Sequence, residues 1–178
     1  MNETAGLRDT DEILKQAALL REREDDVVAE PELSVLCFRI ESEHYAVPVV
    51  AVREILNASP ISRVPGTQGH VLGVINLRSE IIPVVDARQR LLGGAIEVEK
   101  GGFQIVILKS FGEPLGMAVD AVEDMVTAKL IPSQEHEDHM EGKIRLDHGE
   151  GECRLAGLIN LRWFFFSEGC GHEDPQNG

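Results

Sequence analysis

From Leu33 onward the chain is written in short apolar runs separated by Gly, Pro and charged pairs. Runs of that length bounded by turn formers predict β-strands, because a helix needs a longer periodic stretch. Leu33 to Ile40 is the first predicted strand, followed by a polar turn over Glu41 to His44. Tyr45 to Val52 is β-branched and apolar but interrupted by Pro48. Arg63 to Gly69 carries Pro65, Gly66 and Gly69 and predicts a loop or a single helical turn. Val71 to Leu77 and Ile81 to Val85 are two strand-like runs, and Arg78, Ser79 and Glu80 between them fit a short hairpin. Ala87 to Leu92 predicts one or two helical turns stopped by Gly93 and Gly94.

A second cycle follows. Phe103 to Leu108, Leu115 to Val119 and Ala121 to Val126 are strand candidates, with a turn at Gly112 to Pro114. Pro132 to His139 is polar and predicted exposed. Lys143 to Leu146 and Arg154 to Ile159 flank the turn formers His148 to Gly151, and Leu161 to Phe166 predicts a short amphipathic helix. About ten short strands with regular turn signals imply an all-β barrel or sandwich, and two cycles suggest two small barrels. Gly73-Val74-Ile75-Asn76-Leu77-Arg78 echoes Gly157-Leu158-Ile159-Asn160-Leu161-Arg162, but six residues are too few to establish a duplication.

The first 32 residues differ. Ile13, Leu14, Ala17, Ala18 and Leu20 recur near helical spacing over Asp11 to Asp26, and a charged run from Arg21 to Asp26 follows. This extension reads either as a solvated helix and linker or as a docking helix for a partner or for the protein's own body. The predicted organisation is a helical extension over 1–32, two barrel subdomains over 33–167, and a polar tail over 168–178.

Composition narrows the function. With 31 acidic against 17 basic residues the formal net charge is -14. That excess argues against general nucleic-acid binding and against docking on anionic lipid. Three cysteines, Cys37, Cys153 and Cys170, without a CxxC pair make no disulfide framework. Cys37 sits in an apolar run and is expected in the core. No basic stretch leads into an apolar run at the N-terminus, and no run approaches the roughly 20 residues of a membrane span. The expected location is the cytoplasm, without membrane insertion.

Enzyme constellations are missing: there is no GxSxG, P-loop, HExxH or GxGxxG. Paired acids such as Glu123 and Asp124 read as ordinary surface. His136, His139, His148 and Cys153, with Cys170 and His172 beyond, could supply zinc ligands, but their spacings match no closed site. A small metal-dependent enzyme using that cluster is the alternative; the main expectation assigns no catalytic residue, metal ligand or cofactor. His70 is assigned no role.

The most specific text is Leu72-Gly73-Val74-Ile75-Asn76-Leu77-Arg78-Ser79-Glu80-Ile81-Ile82-Pro83-Val84-Val85-Asp86. It resembles the signature of the CheW family of chemotaxis adaptors. Tyr45 to Ile55 resembles the family's tyrosine strand followed by Val-x-Glu-Ile. Val64-Pro65-Gly66 before Val71 fits its linker, and Leu115 to Val126 resembles its Gly-x-x-Val-Asp-x-Val motif. The likeness runs from about Leu33 to Phe166 and leaves out the extension and the tail. Ser79 stands where the family usually has Gly, at a cost of about 1 kcal/mol if φ is positive there.

The resemblance implies two stacked five-stranded SH3-like β-barrels with short helices and a core between them. It implies a non-catalytic adaptor, recruited to receptor arrays, that couples the cytoplasmic hairpin tip of a chemoreceptor to the regulatory domain of a CheA-type histidine kinase. By position it marks Val52, Glu54, Ile55 and Arg78 as partner-binding. A Glu54–Arg78 ion pair is expected to shape that surface, with Val52 and Ile55 as either anchors or core residues. Asn76 is expected to satisfy turn backbone, Asp86 to cap the following helical turn, and Pro83 to mark an edge strand or a bulge.

Overall fold

The computed structural model describes residues 32–57, 59–109, 112–131, 138–148 and 152–167. Most of the predicted extension and the whole tail lie outside the described residues. Among the described residues, ten strands and two short α-helices follow in order. They are β1 (Glu32–Ile40), β2 (Glu43–Pro48), β3 (Val52–Asn57), β4 (Val71–Leu77), β5 (Glu80–Asp86), α1 (Ala87–Leu92), β6 (Gln104–Leu108), β7 (Leu115–Val119), β8 (Ala121–Ile131), β9 (Met140–His148), β10 (Glu152–Ile159) and α2 (Leu161–Phe166).

The strands form two five-stranded sheets. The first closes into a barrel in the order β1-β2-β10-β9-β8. The second runs β3-β6-β7-β5-β4, and its end strands β3 and β4 share no backbone ladder among the described residues. The expected all-β class and five-plus-five division hold, with hydrogen-bonded closure in the first unit only.

Three apolar clusters explain why several strands are apolar on both faces. On β1, Val35 and Cys37 point into the first barrel, while Leu36 and Phe38 join the cluster between the sheets. On β6, Ile105 and Ile107 fill the second sheet's concave side, and Val106 and Leu108 face the shared cluster. A strand buried on both faces needs an unbroken apolar run, whereas a half-buried one alternates. β3 alternates in burial, with Val52, Glu54 and Leu56 half-buried and Arg53, Ile55 and Asn57 exposed. Phe38 and Phe164 are both fully buried in the shared cluster, and each such side chain contributes about 1.5–3 kcal/mol.

The two sheets have one topology, circularly permuted. In the second, the hairpin β4–β5 leads to β7 running parallel to β5, then to β6 and β3. In the first, the hairpin β9–β10 leads to β2 running parallel to β10, then to β1 and β8. The irregularities match as well: β4 against β5 and β9 against β10 shift register near the same end, and so do β3 against β6 and β8 against β1. Each hairpin is followed by a short helix, capped by Asp86 at α1 and Asn160 at α2. The six-residue echo is not the trace of this symmetry. One copy ends β4 and the other crosses from β10 into α2, which are not equivalent places.

Polar ties cross between the sheets. Asp120, where the chain leaves β7 for β8, accepts the Glu41 N–H at 2.6 Å and a bond from Arg88 of α1 at 2.5 Å. Arg90 of α1 donates to the carbonyls of Trp163 and Phe164 at 3.1 Å each and to Ser167, and its guanidinium lies 4.6 Å from the centre of the Trp163 ring. A cation at a helix C-terminus satisfies carbonyls left unpaired there. Pro83 corrects an expectation: β5 lies between β7 and β4, so it is not an edge strand. The ladder to β7 begins only at Val84, one residue later.

Candidate functional site

The β4–β5 hairpin turns through Arg78 (φ 52°) and Ser79 (φ 71°), both left-handed. Two consecutive positive φ values mark the tight turn whose twist matches the strands it joins. Asn76 Oδ1 accepts the Ser79 N–H at 3.1 Å, which is the turn-satisfying role expected of it. Ser79 therefore occupies a conformation that glycine adopts without strain. Gly73 is required for another reason. Ser62 bridges to Val74 across the β4 edge with bonds of 2.8 and 2.9 Å, and a Cβ at Gly73 would sit 2.2 Å from the Ser62 carbonyl oxygen.

This turn brings Arg78 to β3. Arg78 Nη2 lies 3.2 Å from Glu54 Oε2. Arg53 pairs with both Glu80, at 2.6 Å, and Glu54, at 3.7 Å. The four residues chain together across the gap between β3 and the β4–β5 tip, where no backbone ladder runs. The hydrogen bond that Arg53 donates to Glu80 holds its guanidinium above the ordinary value. Arg78 is 72% exposed and Glu54 is 21% exposed, so the arginine is the member presented to solvent.

The structure separates the two apolar candidates beside Glu54. Val52 is half-buried and packs against the inter-sheet cluster. Ile55 turns outward, with 39% of its surface exposed. Val50 before β3 and Ile81 beyond the hairpin turn are also exposed, two apolar residues that sequence reasoning did not single out. They lie inside apolar runs, so only the fold reveals their direction.

Asp86 is fully buried. Its Oδ1 accepts the Gln89 N–H at 3.1 Å, capping α1 as expected, and its Oδ2 accepts the Ile96 N–H at 2.7 Å. Burial pushes its carboxyl above the ordinary value, partly opposed by these backbone bonds and by Arg88. It forms the floor of an open cleft of about 350 Å³ under the β3–β4 connection. Both carboxylate oxygens are engaged within the fold, so Asp86 is a framework residue. His70 gives its carbonyl to the Asp86 N–H at 2.8 Å, and burial, then Arg90, hold its imidazole below the ordinary value. Cys37 is buried, and desolvation, aided by Glu123 and Asp124, pushes its thiol up to about 11.

Among the described residues of the metal alternative, the backbone sets His148 and Cys153 close across the β9–β10 hairpin but leaves His139 at the far end of β9. His139 precedes β9 and packs against Trp163, with ring centres 5.4 Å apart. His148 ends the same nine-residue strand, about 30 Å away at strand rise. Cys153 is paired in register with Asp147. His136, Cys170 and His172 lie outside the described residues. Among the described residues, no helix is long and apolar enough to cross a membrane.

Comparison with known proteins adds four findings. The CheW-like domain family model matches residues 34–162. Chemotaxis protein CheW of Rhizobium meliloti (strain 1021) is 36% identical over 137 residues, covering 75% of this chain and 88% of that protein. The one from Helicobacter pylori (strain ATCC 700392 / 26695) is 26% identical over 157 residues, covering 87% and 93%. Among solved structures, the scaffolding protein TtCheW from Thermoanaerobacter tengcongensis superposes with a TM-score of 0.64 at 25% identity, over 83% of this chain and all of that one.

Proposed function

The chain belongs to the CheW-like domain family, and we propose that it works as a non-catalytic adaptor coupling the cytoplasmic hairpin tip of a chemoreceptor to the regulatory domain of a CheA-type histidine kinase. The observation that carries this reading is the Glu54–Arg78 pair at the exposed meeting of β3 and the β4–β5 hairpin, with Ile55 facing out beside it. The names of the similar proteins, chemotaxis protein and scaffolding protein, support the same reading.

An apolar anchor rimmed by charge is the usual build of a protein-binding surface. Ile55 supplies the anchor, and Val52, packed against the inter-sheet cluster, holds the strand that carries it. Glu54 holds Arg78 in place, and the exposed guanidinium can offer a fork of donors to a partner carboxylate. Such a surface transmits a signal by changing contacts between bodies, and it needs neither a cofactor nor a covalent step. The work is done in the cytoplasm, at receptor arrays.

The test is a titration of the full chain against a kinase regulatory domain and a receptor hairpin fragment of the same organism, with Arg78→Ala and Glu54→Ala alongside. The expected affinity is on the order of micromolar, weakened about tenfold by either change, equivalent to about 1.4 kcal/mol. The two losses should be similar, because the residues act as one unit. If neither fragment binds the wild type, or both variants bind as it does, the reading fails.

A further inference from the structure

We propose that the cleft under the β3–β4 connection is a binding site for a small aromatic carboxylate, its ring in the cleft and its carboxylate on Arg63. The cleft encloses about 350 Å³ and opens between residues 61–72 and the connection from α1 to β6. That volume falls among sites that take small molecules, roughly 300–1,000 Å³. Ile61, Leu72, Ile96 and Val98 give it apolar walls, and Arg63, Gln68 and Gln89 line it with donors. Among the described residues, these three side chains make no hydrogen bond or ion pair. Asp86, on the floor, already accepts from the Gln89 and Ile96 N–H groups with one oxygen each. It offers a ligand no vacant acceptor and turns an anionic end toward the exposed Arg63. A guanidinium there can hold a carboxylate through two parallel bonds.

The first barrel indicates what kind of group suits this place. The Asp86 N–H donates to the His70 carbonyl at 2.8 Å, and the Asn160 N–H donates to the His139 carbonyl at 3.0 Å. Asp86 then caps α1 through the Gln89 N–H, and Asn160 caps α2 through the Trp163 N–H, each at 3.1 Å. These sets are equivalent in the permuted topology, so Gln89 and Trp163 hold matched positions. In the first barrel that position carries an indole, packed against His139 with ring centres 5.4 Å apart. In the second it carries an amide beside an open cleft. A ligand's aromatic ring would supply there the group that Gln89 does not. Charge then selects among aromatic molecules. Arg63 attracts an anion and repels a cation, and the acid that could have held a cation is committed on both oxygens.

The test titrates phenylacetate, and phenylacetamide as its uncharged twin, into the ¹⁵N-labelled full chain at neutral pH. Phenylacetate should shift the amides of Thr67, Gln68, Gly69, Gln89 and Ile96 to saturation, with a Kd on the order of 1 mM. Phenylacetamide should bind about fivefold more weakly, and Arg63→Gln should erase that difference. Gln89→Trp, which brings the first barrel's ring to the second, should abolish binding of both probes while circular dichroism stays native. If that variant does not fold, the Arg63→Gln comparison decides alone. The proposal is overturned if phenylacetate moves none of these amides up to about 10 mM, or if shifts scatter over the surface without saturating. It is also overturned if the two probes bind alike, if Arg63→Gln still prefers phenylacetate, or if a folded Gln89→Trp binds as the wild type does. Should phenylacetate fail while a kinase regulatory domain or a receptor fragment shifts the same amides, the cleft takes a protein side chain and the proposal falls.

Discussion

Replacing Asp86 by alanine removes two buried acceptors at once. The Gln89 N–H loses its cap, worth about 1 kcal/mol. The Ile96 N–H, donated at 2.7 Å to Oδ2, is left without its partner in a site only 8% exposed, which costs about 1–3 kcal/mol. Against this stands the relief of a carboxylate whose burial already holds its proton affinity high. The balance is a loss of about 2–3 kcal/mol, or roughly 4–12 °C in Tm for a domain of this size. Urea unfolding at neutral pH, followed by the emission of the single tryptophan, Trp163, measures it. The sign with pH is opposite to that of a salt-bridged acid. A carboxyl whose folded value is raised contributes stability that is fully present below the unfolded value and is lost as pH rises through the folded one. The stability of the wild type relative to Asp86→Asn should therefore increase on acidification from the folded value toward the ordinary 3.8. A loss below about 1 kcal/mol in Asp86→Ala would refute the account of Asp86 as a buried double acceptor.

Three further outcomes follow from the same structure. Ser79→Gly should stabilise the protein by about 1 kcal/mol by relieving the positive φ, seen as a higher urea midpoint with an unchanged slope. Arg90→Ala should free α2, costing about 2–3 kcal/mol for the carbonyls and ring contact it abandons and shifting Trp163 emission to the red. In a background lacking Cys153 and Cys170, the Cys37 thiol should resist iodoacetamide at pH 8 in the folded protein and react once urea unfolds it, given its burial and a value near 11.

Much of this fold is legible in the sequence because turn chemistry is local. Val71–Leu77, Ala87–Leu92 and Leu161–Phe166 fall where their apolar runs and flanking Gly, Asp or Asn place them. The pairing of Glu54 with Arg78 was legible through family resemblance, since nothing within 24 residues of chain announces it. What could not be read is long-range. β8 continues to Ile131 through the polar Thr127 and Lys129, because β1 and β9 pair with it on both sides. The apolar runs of β1 and β6 do not say which face meets which core. The Arg88–Asp120–Glu41 tie joins three segments whose only sequence signal is Asp120 within the Val-Asp motif. Pro83 read as the mark of an edge strand or a bulge; the edge is absent, since β5 is an inner strand, while the β4–β5 ladder does shift register beside it, between Val71 and Gly73.

The permuted topology also bears on how the molecule is made. The second sheet is drawn from one unbroken stretch, β3 through β7. It can pair its strands as soon as that stretch has left the ribosome. The first barrel is built from strands on either side of that stretch: β1 and β2 emerge before it and find β8 and β10 only after it. Until then the apolar residues of β1 and β2 lack their barrel partners, and such exposed edges are where nascent chains aggregate. The early presence of the second sheet gives Leu36, Phe38 and Val47 a surface to rest on during that wait. A chain stopped after β7 but before β10 would keep its second sheet and leave the first barrel permanently unclosed.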